Sequence, residues 1–293
     1  MKQPTLRKKV MPGLYRSASQ ASRYSQAVYF WCLGGYLVLL VCAAFVSFLW
    51  PANVAGAISS AILFMVTLVI LVGLRVKRPD DIWYNGRAVA ESVKTRTWRW
   101  VMRAEPYSMT NAEVARSKFT DDLREILRQN RTLFEYLGAQ SVASAPISKE
   151  MESLRALPVE ERIAIYRRER IEAQAHWYEK KAKDNRTQAR MWFWISVVLH
   201  SSAIALLLYR VSSPTQSLPI EVISTAAGAA LTWLQSKKFN ELGSSYTLTA
   251  GEIALMLSDA ALVKDENELS VLVLDSETAF SREHTQWVAR KNS

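Results

Sequence analysis

Apolar residues are concentrated in four blocks of the chain, and charged residues fill the stretches between them. The first two blocks, residues 27–50 and 54–74, contain no charged residue. Each is long enough for the roughly 20 helical residues that a bilayer core requires. Pro51, Ala52 and Asn53 lie between them and indicate a turn. The pattern therefore predicts a hairpin of two membrane-spanning helices.

The third and fourth blocks repeat this arrangement. Residues 191–209 contain no Asp, Glu, Lys or Arg and one histidine, His200. Residues 218–234 follow after a short loop but contain Glu221. A buried helix of a soluble domain is the alternative for the fourth block. We predict an all-α integral membrane protein with four transmembrane helices in two hairpins, whose long helices extend into a cytoplasmic helical layer.

Basic residues set the predicted orientation, because positive charge is retained on the cytoplasmic side. The net charge is +10, and residues 1–26 hold six basic residues and no acid. Basic residues also flank the inner ends of the other blocks, whereas the two hairpin loops carry only Arg210. We expect both termini and the central segment in the cytoplasm. The first block exceeds the apolar core of a signal peptide, so we interpret it as an anchor.

The segment after the first hairpin has two apolar stripes with basic residues between them. Ile82, Val89, Val93 and Trp100 form one stripe, and Trp83 begins the other. Such a helix either packs on cytoplasmic neighbours, which we favour, or lies in the headgroup layer. A basic, Trp-rich helix is also compatible with nucleic acid, but charge beside a span more often sets topology, and we do not expect nucleic acid as a partner.

A coiled-coil pattern follows. Thr110 and Glu113 have the spacing of a capping box. The positions after them repeat at intervals of four and three and predict a seam between copies of the chain, with an Asn at a core position: Phe119, Leu123, Ile126, Asn130, Leu133 and Leu137. Residues 139–149 are mostly small and polar, which predicts a linker. We therefore divide the chain into domains at residues 1–138 and 150–293.

Long helices are expected in the second domain. No Pro or Gly occurs between Pro158 and Pro214, which predicts one helix over residues 159–209. The fourth span is expected to continue toward Gly243. The final segment, residues 266–290, is predicted to be helical, with a short strand at residues 272–274 as the alternative. Continuous helices of this length would connect cytoplasmic events with the membrane.

Polar residues inside the spans are the candidates for function, because they seldom face lipid. One face of the fourth span carries Glu221, Ser224, Thr225, Gly228 and Thr232. Lining of a pore and close packing of helices are the two interpretations of this face. Packing is favoured for the second span, whose candidates are Ser60 and Thr67. His200 of the third span completes the pore-lining set, and its simpler interpretation is a neutral histidine that bonds to a serine or a backbone carbonyl.

Catalytic and metal-binding patterns are missing from the sequence. It contains two cysteines, about 15 Å apart along the first span by helical rise, and three histidines. We find no phosphate-binding glycine loop, metal-ligand spacing or nucleophile with an orienting base. We therefore expect no enzymatic activity, no cofactor and no metal site. The blocks of apolar residues also exclude a single soluble globule, a disulfide scaffold and a disordered chain.

The same plan of basic helix, span, loop, span and helix occurs at about residues 14–105 and 160–260. In the first copy, residues 13–19, 83–95, 98–100 and 103–106 carry recurring motifs, and in the second copy residues 166–170, 177–178 and 280–287 do. These motifs resemble those of the SLATT family, two-span domains associated with bacterial nucleotide-signalling conflict systems. The motif residues are interpreted as packing positions: Trp83, Gly86, Glu91, Trp98, Trp177, Glu283, His284 and Trp287.

The resemblance implies a membrane effector of bacterial antiviral defence. It would reside in the inner membrane, oligomerise with copies of itself in the lipid bilayer, and form a pore or disrupt the membrane on a cytoplasmic signal. The signal would come from a separate sensor or nucleotide-signalling protein. Two alternatives stay open: a non-conducting scaffold or regulator that recruits a soluble defence enzyme, and a constitutive small ion channel.

Overall fold

The computed structural model describes Leu6 and residues 10–137 and 145–289. These residues form eleven α-helices and one π-helical turn, and no strand occurs among them. The helices are α1 Gly13–Leu49, α2 Val54–Lys77, α3 Pro79–Val101, α4 Ala112–Gln129, α5 Arg131–Leu137, α6 Lys149–Arg155, α7 Val159–Tyr166, the π-helical turn Arg167–Glu172, α8 Ala173–Ser212, α9 Ile220–Lys237, α10 Phe239–Ala260 and α11 Glu266–Ala289.

The chain divides into two compact units, and each contains segments from both halves of the sequence. The unit called here the apolar unit comprises Ala27–Pro79 and Lys180–Thr247, and thus contains all four apolar blocks. The polar unit comprises the described residues of Met1–Gln26, Asp80–Glu179 and Leu248–Ser293. Helices α1 and α8 each contribute residues to both units.

Three helical runs are long and apolar enough to cross a membrane: Gly13–Leu49, Val54–Val101 and Val159–Ser212. In the most apolar stretch of each run, 11% of the residues are buried within the chain. Large side chains such as Trp31, Ile62 and Val198 are exposed instead. An apolar surface of this extent matches lipid as its surroundings. Helix α9 coincides with the predicted fourth span but is not among the three runs.

Close helix contacts build the apolar unit. The predicted turn at residues 51–53 is present, and the Asn53 side chain accepts a hydrogen bond from the Ala55 amide at 2.8 Å to begin α2. The Ser60 hydroxyl donates to the Ala43 carbonyl of α1 at 3.3 Å. Trp233 of α9 packs edge-on against Phe30 of α1, with ring centroids 6.0 Å apart. These contacts join α1 to both α2 and α9.

In the polar unit, α3 is surrounded by protein. Val89, Val93 and Trp100 of the first stripe are buried, as are Trp83 and Val101 of the second. This confirms the interpretation that α3 packs on its neighbours, because a helix in the headgroup layer would keep one stripe at the surface of the protein.

Two arginines cap the carboxyl end of α3. The last carbonyls of a helix lack partners within it and carry partial negative charge. Arg155 donates to the carbonyls of Trp100 and Tyr107, the latter at 2.8 Å. Arg162 donates to the Met102 carbonyl at 2.8 Å and also pairs with Glu266. Burial of Arg155 and Arg162 is thus compensated by the α3 end and the turn that follows.

A third buried arginine lies on the π-helical turn. The predicted helix over residues 159–209 is confirmed in extent, but one turn, Arg167–Glu172, has π-helical hydrogen bonding. Arg170 donates to both carboxylate oxygens of Glu277 in α11, at 2.6 and 2.7 Å. Both residues are buried, and Glu277 also accepts from Thr95 of α3 at 2.9 Å and from Tyr166 of α7 at 3.1 Å.

The structure corrects two details of the predicted coiled coil. The N-cap of α4 is Asn111 and not Thr110: its side chain accepts from the amides of Glu113 and Val114 at 2.9 and 3.4 Å. The helix also ends at Gln129, because Asn130 leaves helical geometry and its amide group donates back to the Ile126 carbonyl at 2.9 Å. The seam is therefore not one continuous helix.

One further expectation about a helix end is corrected, and the helix predicted for residues 266–290 is confirmed over its described residues. Helix α9 stops at Lys237 because Lys238 adopts the left-handed conformation, with φ of 50°. Gly243 lies inside the separate helix α10. Residues 272–274 belong to α11 and do not form a strand, and Leu269, Val273 and Phe280 are buried on one of its faces.

We expect Glu277→Gln to destabilise the polar unit by roughly 3 to 5 kcal/mol, because it leaves the Arg170 charge buried without compensation. Asp121→Asn is the control. It removes the exposed pair with Arg124 and is expected to cost less than about 1 kcal/mol. Thermal unfolding of both purified variants measures the difference, and equal midpoints would contradict the assigned role of Glu277.

Candidate functional site

One face of α9 is polar and lies at the surface of the chain. Glu221, Ser224, Gly228, Thr232 and Gln235 are exposed. Spacings of three and four residues place them on one side of the helix. At Gly228, no described atom lies within 4 Å of the position that a Cβ would occupy. This face therefore has room for another helix or for water.

The threonine hydroxyl groups of this helix donate hydrogen bonds to carbonyl groups of α9 itself. Thr225 donates to the Glu221 carbonyl at 2.7 Å, and Thr232 donates to the Gly228 carbonyl at 2.8 Å. The Glu221 carboxylate is 70% exposed and lies 3.9 Å from Arg210 of α8. Local bonding reduces the cost of placing the threonines in an apolar environment. It does not compensate the exposed Glu221 carboxylate or the Gln235 amide.

Helix α2 has the opposite arrangement. Its polar candidates Ser60 and Thr67 are buried, with Thr67 donating to the Phe64 carbonyl at 2.7 Å. Its exposed side chains are apolar, and include Ile58, Ile62 and Met65. Ser60 and Thr67 therefore pack within this chain, in agreement with the packing interpretation favoured for the second span. Their assignment as pore-lining candidates stays a prediction.

His200 lies on the exposed surface of α8 within the apolar unit. Its Nδ1 is 2.7 Å from the Ser196 carbonyl oxygen one turn earlier. The histidine thus bonds within its own helix, as the simpler interpretation of the sequence predicts. Because His200 is exposed, its assignment as a pore-lining residue stays a prediction.

Most residues of the predicted oligomer seam pack against other residues of the same chain. Phe119, Leu123, Ile126 and Leu133 are buried. Phe119 packs between Trp100 and Tyr107, with centroid distances of 5.6 and 5.7 Å. The side chain of Leu137 lies outside the described residues. A seam between copies would require α4 to leave this core.

The motif residue Gly86 marks a close approach of α1 and α3. A Cβ there would meet the Ala18 carbonyl oxygen at 3.0 Å and the Ser22 amide nitrogen at 3.2 Å. Ser22 also donates from its hydroxyl to the Trp83 carbonyl at 3.0 Å. Trp98 is buried and packs edge-on against Tyr166. The side chains of Glu283, His284 and Trp287 lie outside the described residues.

Beside this contact the polar unit contains a cavity of about 330 Å³. It is walled by α1, α3, α8 and α11, and the four motif segments at residues 13–19, 83–95, 177–178 and 280–287 all contribute to it. Five aromatic residues and four charged residues are among those that line it: Tyr15, Trp83, Trp177, Tyr178 and Phe280, with Arg23, Arg87, Glu91 and Lys94.

The charged side chains of the cavity interact electrostatically with one another and change one another's pKa values. Burial alone would raise the pKa of Glu91, but Lys94, Arg170 and Arg87 lower it to about 2, so the carboxylate stays ionised at neutral pH. Burial lowers the pKa of Lys94, and Glu91, 3.1 Å from its Nζ, opposes that shift. Among the described lining residues, three are basic and one is acidic. Arg170 does not line the cavity itself, but its guanidinium lies 4.5 Å from the centre of the Phe280 ring, which does.

Sequence reasoning identified the cavity's motif segments but interpreted them as packing positions. Helical spacing within one segment could not indicate that four segments from both halves would meet. Arg23 is one of the six basic residues of 1–26 that set the predicted orientation, and it also lies one turn after Ser19 in α1 and lines the same cavity.

Helical architecture and three long apolar runs with lipid-matched surfaces define an all-α membrane protein. Residues 12–163 match the family model described as SMODS and SLOG-associating 2TM effector domain 3, and residues 166–287 match SMODS and SLOG-associating 2TM effector domain 1. The chain belongs to the SLATT family, with two domains in tandem. Comparisons with curated proteins and with solved structures give no significant match.

We expect Gly86→Ala to destabilise the polar unit by about 1 to 3 kcal/mol, because the added methyl group presses on the α1 backbone. Gly251→Ala is the matched control. It changes a helical glycine of α10 with no described atom within 4 Å of the new Cβ, and is expected to gain up to about 1 kcal/mol. Thermal unfolding should shift in opposite directions; a shift of the same sign would refute the close contact.

Proposed function

We propose that this chain is a membrane effector that assembles with copies of itself and opens an aqueous path through the bacterial inner membrane on a cytoplasmic signal. The carrying observation is the polar, exposed face of α9. In a lone chain within a bilayer the middle of this face would contact lipid, which is an unfavourable environment for Ser224 and Thr232. In an assembly, this face contacts other copies of the chain or the water enclosed between them, and the energetic cost of exposing polar groups to lipid is removed.

The comparison of α2 with α9 supports this assignment. Helix α2 turns Ser60 and Thr67 inward and leaves apolar side chains outside, as expected of a helix that contacts lipid. Helix α9 turns Ala227 and Ala230 inward and leaves its polar positions outside. The two helices therefore fit different surroundings, lipid for α2 and an assembly interior for α9.

The proposed membrane arrangement has four spans and cytoplasmic termini. Helix α9 serves as the fourth span because assembly provides the polar environment that its composition requires. Arg75, Lys77 and Lys237 at the ends of α2 and α9 lie on the cytoplasmic side. Glu221 then lies at the outer mouth, where a ring of carboxylates would favour cations.

The family supports an effector role, since both matched domains are described as effectors. Helices α1 and α8 run without interruption from the polar unit into the apolar unit, so a signal received by the polar unit has a covalent route to the spans. In this proposal a separate sensor protein or a small ligand supplies the signal, and conduction requires no catalytic step.

Gly228→Leu tests the proposed path. The new side chain fits an isolated chain, because the position is open, but would fill the space between copies. Ion flux through liposomes containing the triggered protein should fall to the background level. Gly73→Leu in α2 is the control, since its position is equally open but faces lipid in this proposal, and should leave flux unchanged.

Both variants should be compared at equal amounts of folded, membrane-inserted protein. Normal flux through Gly228→Leu would remove the α9 face from the mechanism. Absence of flux from the triggered wild-type protein would instead favour a scaffold that recruits a soluble enzyme.

A further inference from the structure

We propose that the cavity of the polar unit is a binding site for a phosphorylated small molecule that carries an aromatic or apolar group. The sequence and the family descriptions assign no ligand to this cavity. Its volume of about 330 Å³ lies within the range of small-molecule sites. The site includes residues from both SLATT domains, so the complete tandem chain is needed to form it.

The basic residues supply the phosphate-binding part. Arg23, Arg87 and Lys94 line the cavity on α1 and α3. Guanidinium groups bind phosphate oxygens through paired, charge-assisted hydrogen bonds, and Lys contributes a compact charge. Three basic residues against one acidic residue, among the described residues of the lining, favour an anion as the ligand.

Glu91 also limits which anions fit. It stays ionised through Lys94, Arg170 and Arg87, and would repel a phosphate placed directly against it. Arg23 of α1 is not among the basic residues that lower the pKa of Glu91, so a phosphate held chiefly by Arg23 leaves the Glu91–Lys94 pair intact. Arg87, one turn before Glu91 on α3, supplies the second basic contact of the cavity.

The aromatic residues supply the second part. Tyr15, Trp83, Trp177, Tyr178 and Phe280 contribute ring surface to the same cavity. Aromatic rings bind planar bases by stacking and also contact the glycerol and acyl parts of lipids. A simple inorganic anion would leave this surface unused. Two sources of ligand share the required chemistry, a free nucleotide and a phospholipid headgroup.

A ligand in this cavity would contact α1 and α8, which continue into the apolar unit. Binding could therefore bias the helices that lead to the spans. This consequence rests on the proposed function, whereas binding itself does not. The experiment below measures binding alone, so its failure and a failure of ion flux are separate results.

The test is calorimetric titration of the purified full-length chain with four probes: ADP, adenosine, pyrophosphate and dihexanoyl phosphatidylglycerol below its micellar concentration. We expect binding of ADP or the short-chain lipid, with at least one of them tighter than pyrophosphate and adenosine. Tighter binding of ADP identifies a nucleotide as the source, and tighter binding of the lipid identifies a headgroup.

Arg23→Gln and Arg87→Gln should each weaken that binding by about ten-fold or more, because each removes charged hydrogen bonds to phosphate. Arg16→Gln is the control, as an exposed arginine of α1 that does not line the cavity. Thermal unfolding identifies any variant that fails to fold, and Arg23, exposed on α1, provides the variant expected to fold normally.

Three results would overturn the proposal. The first is no binding of ADP or the lipid up to about 1 mM, which corresponds to roughly 4 kcal/mol of affinity. The second is pyrophosphate binding as tight as the better organic phosphate, which would leave an anion site without an aromatic part. The third is unchanged affinity in folded Arg23→Gln and Arg87→Gln.

Discussion

The buried pair of Arg170 and Glu277 is the interaction on which the polar unit depends. Removing two charges from water is costly, and the cost is offset only where geometry is good and the remaining polar atoms are bonded. Here both carboxylate oxygens accept from the guanidinium, and Thr95 and Tyr166 also donate to Glu277. Among the described residues, only the Arg170 Nη1 atom of this cluster is left without a hydrogen-bond acceptor. The pair joins α3 of the first SLATT domain to the π-helical turn and α11 of the second.

This arrangement explains why the tandem domains do not fold as two separate bodies. The polar unit collects the basic, aromatic helices of both domains, and the apolar unit collects both sets of apolar blocks. A cavity walled by motif segments from both domains follows from the same sharing. The two tandem domains therefore share one composite cavity.

The sequence predicted the helical class, the turn at residues 51–53 and the packing of α3, because hydrophobic periodicity and turn residues report local structure directly. It did not predict the break at Asn130, where a local side-chain bond replaces the next helical one. It also missed the π-helical turn at Arg170, which depends on contacts with a helix about one hundred residues away. The cavity was missed for the same reason, since its walls come from four distant segments.

The central claim is that the polar face of α9 meets other copies of the chain, while α2 faces lipid. Oxidative cross-linking in native membranes tests it directly, in a chain made cysteine-free by Cys32→Ala and Cys42→Ala. Ser224→Cys on the α9 face should give disulfide-linked dimers, and Ile62→Cys on the exposed face of α2 should remain monomeric. Monomeric Ser224→Cys alongside cross-linked Ile62→Cys would contradict the assignment of the two faces.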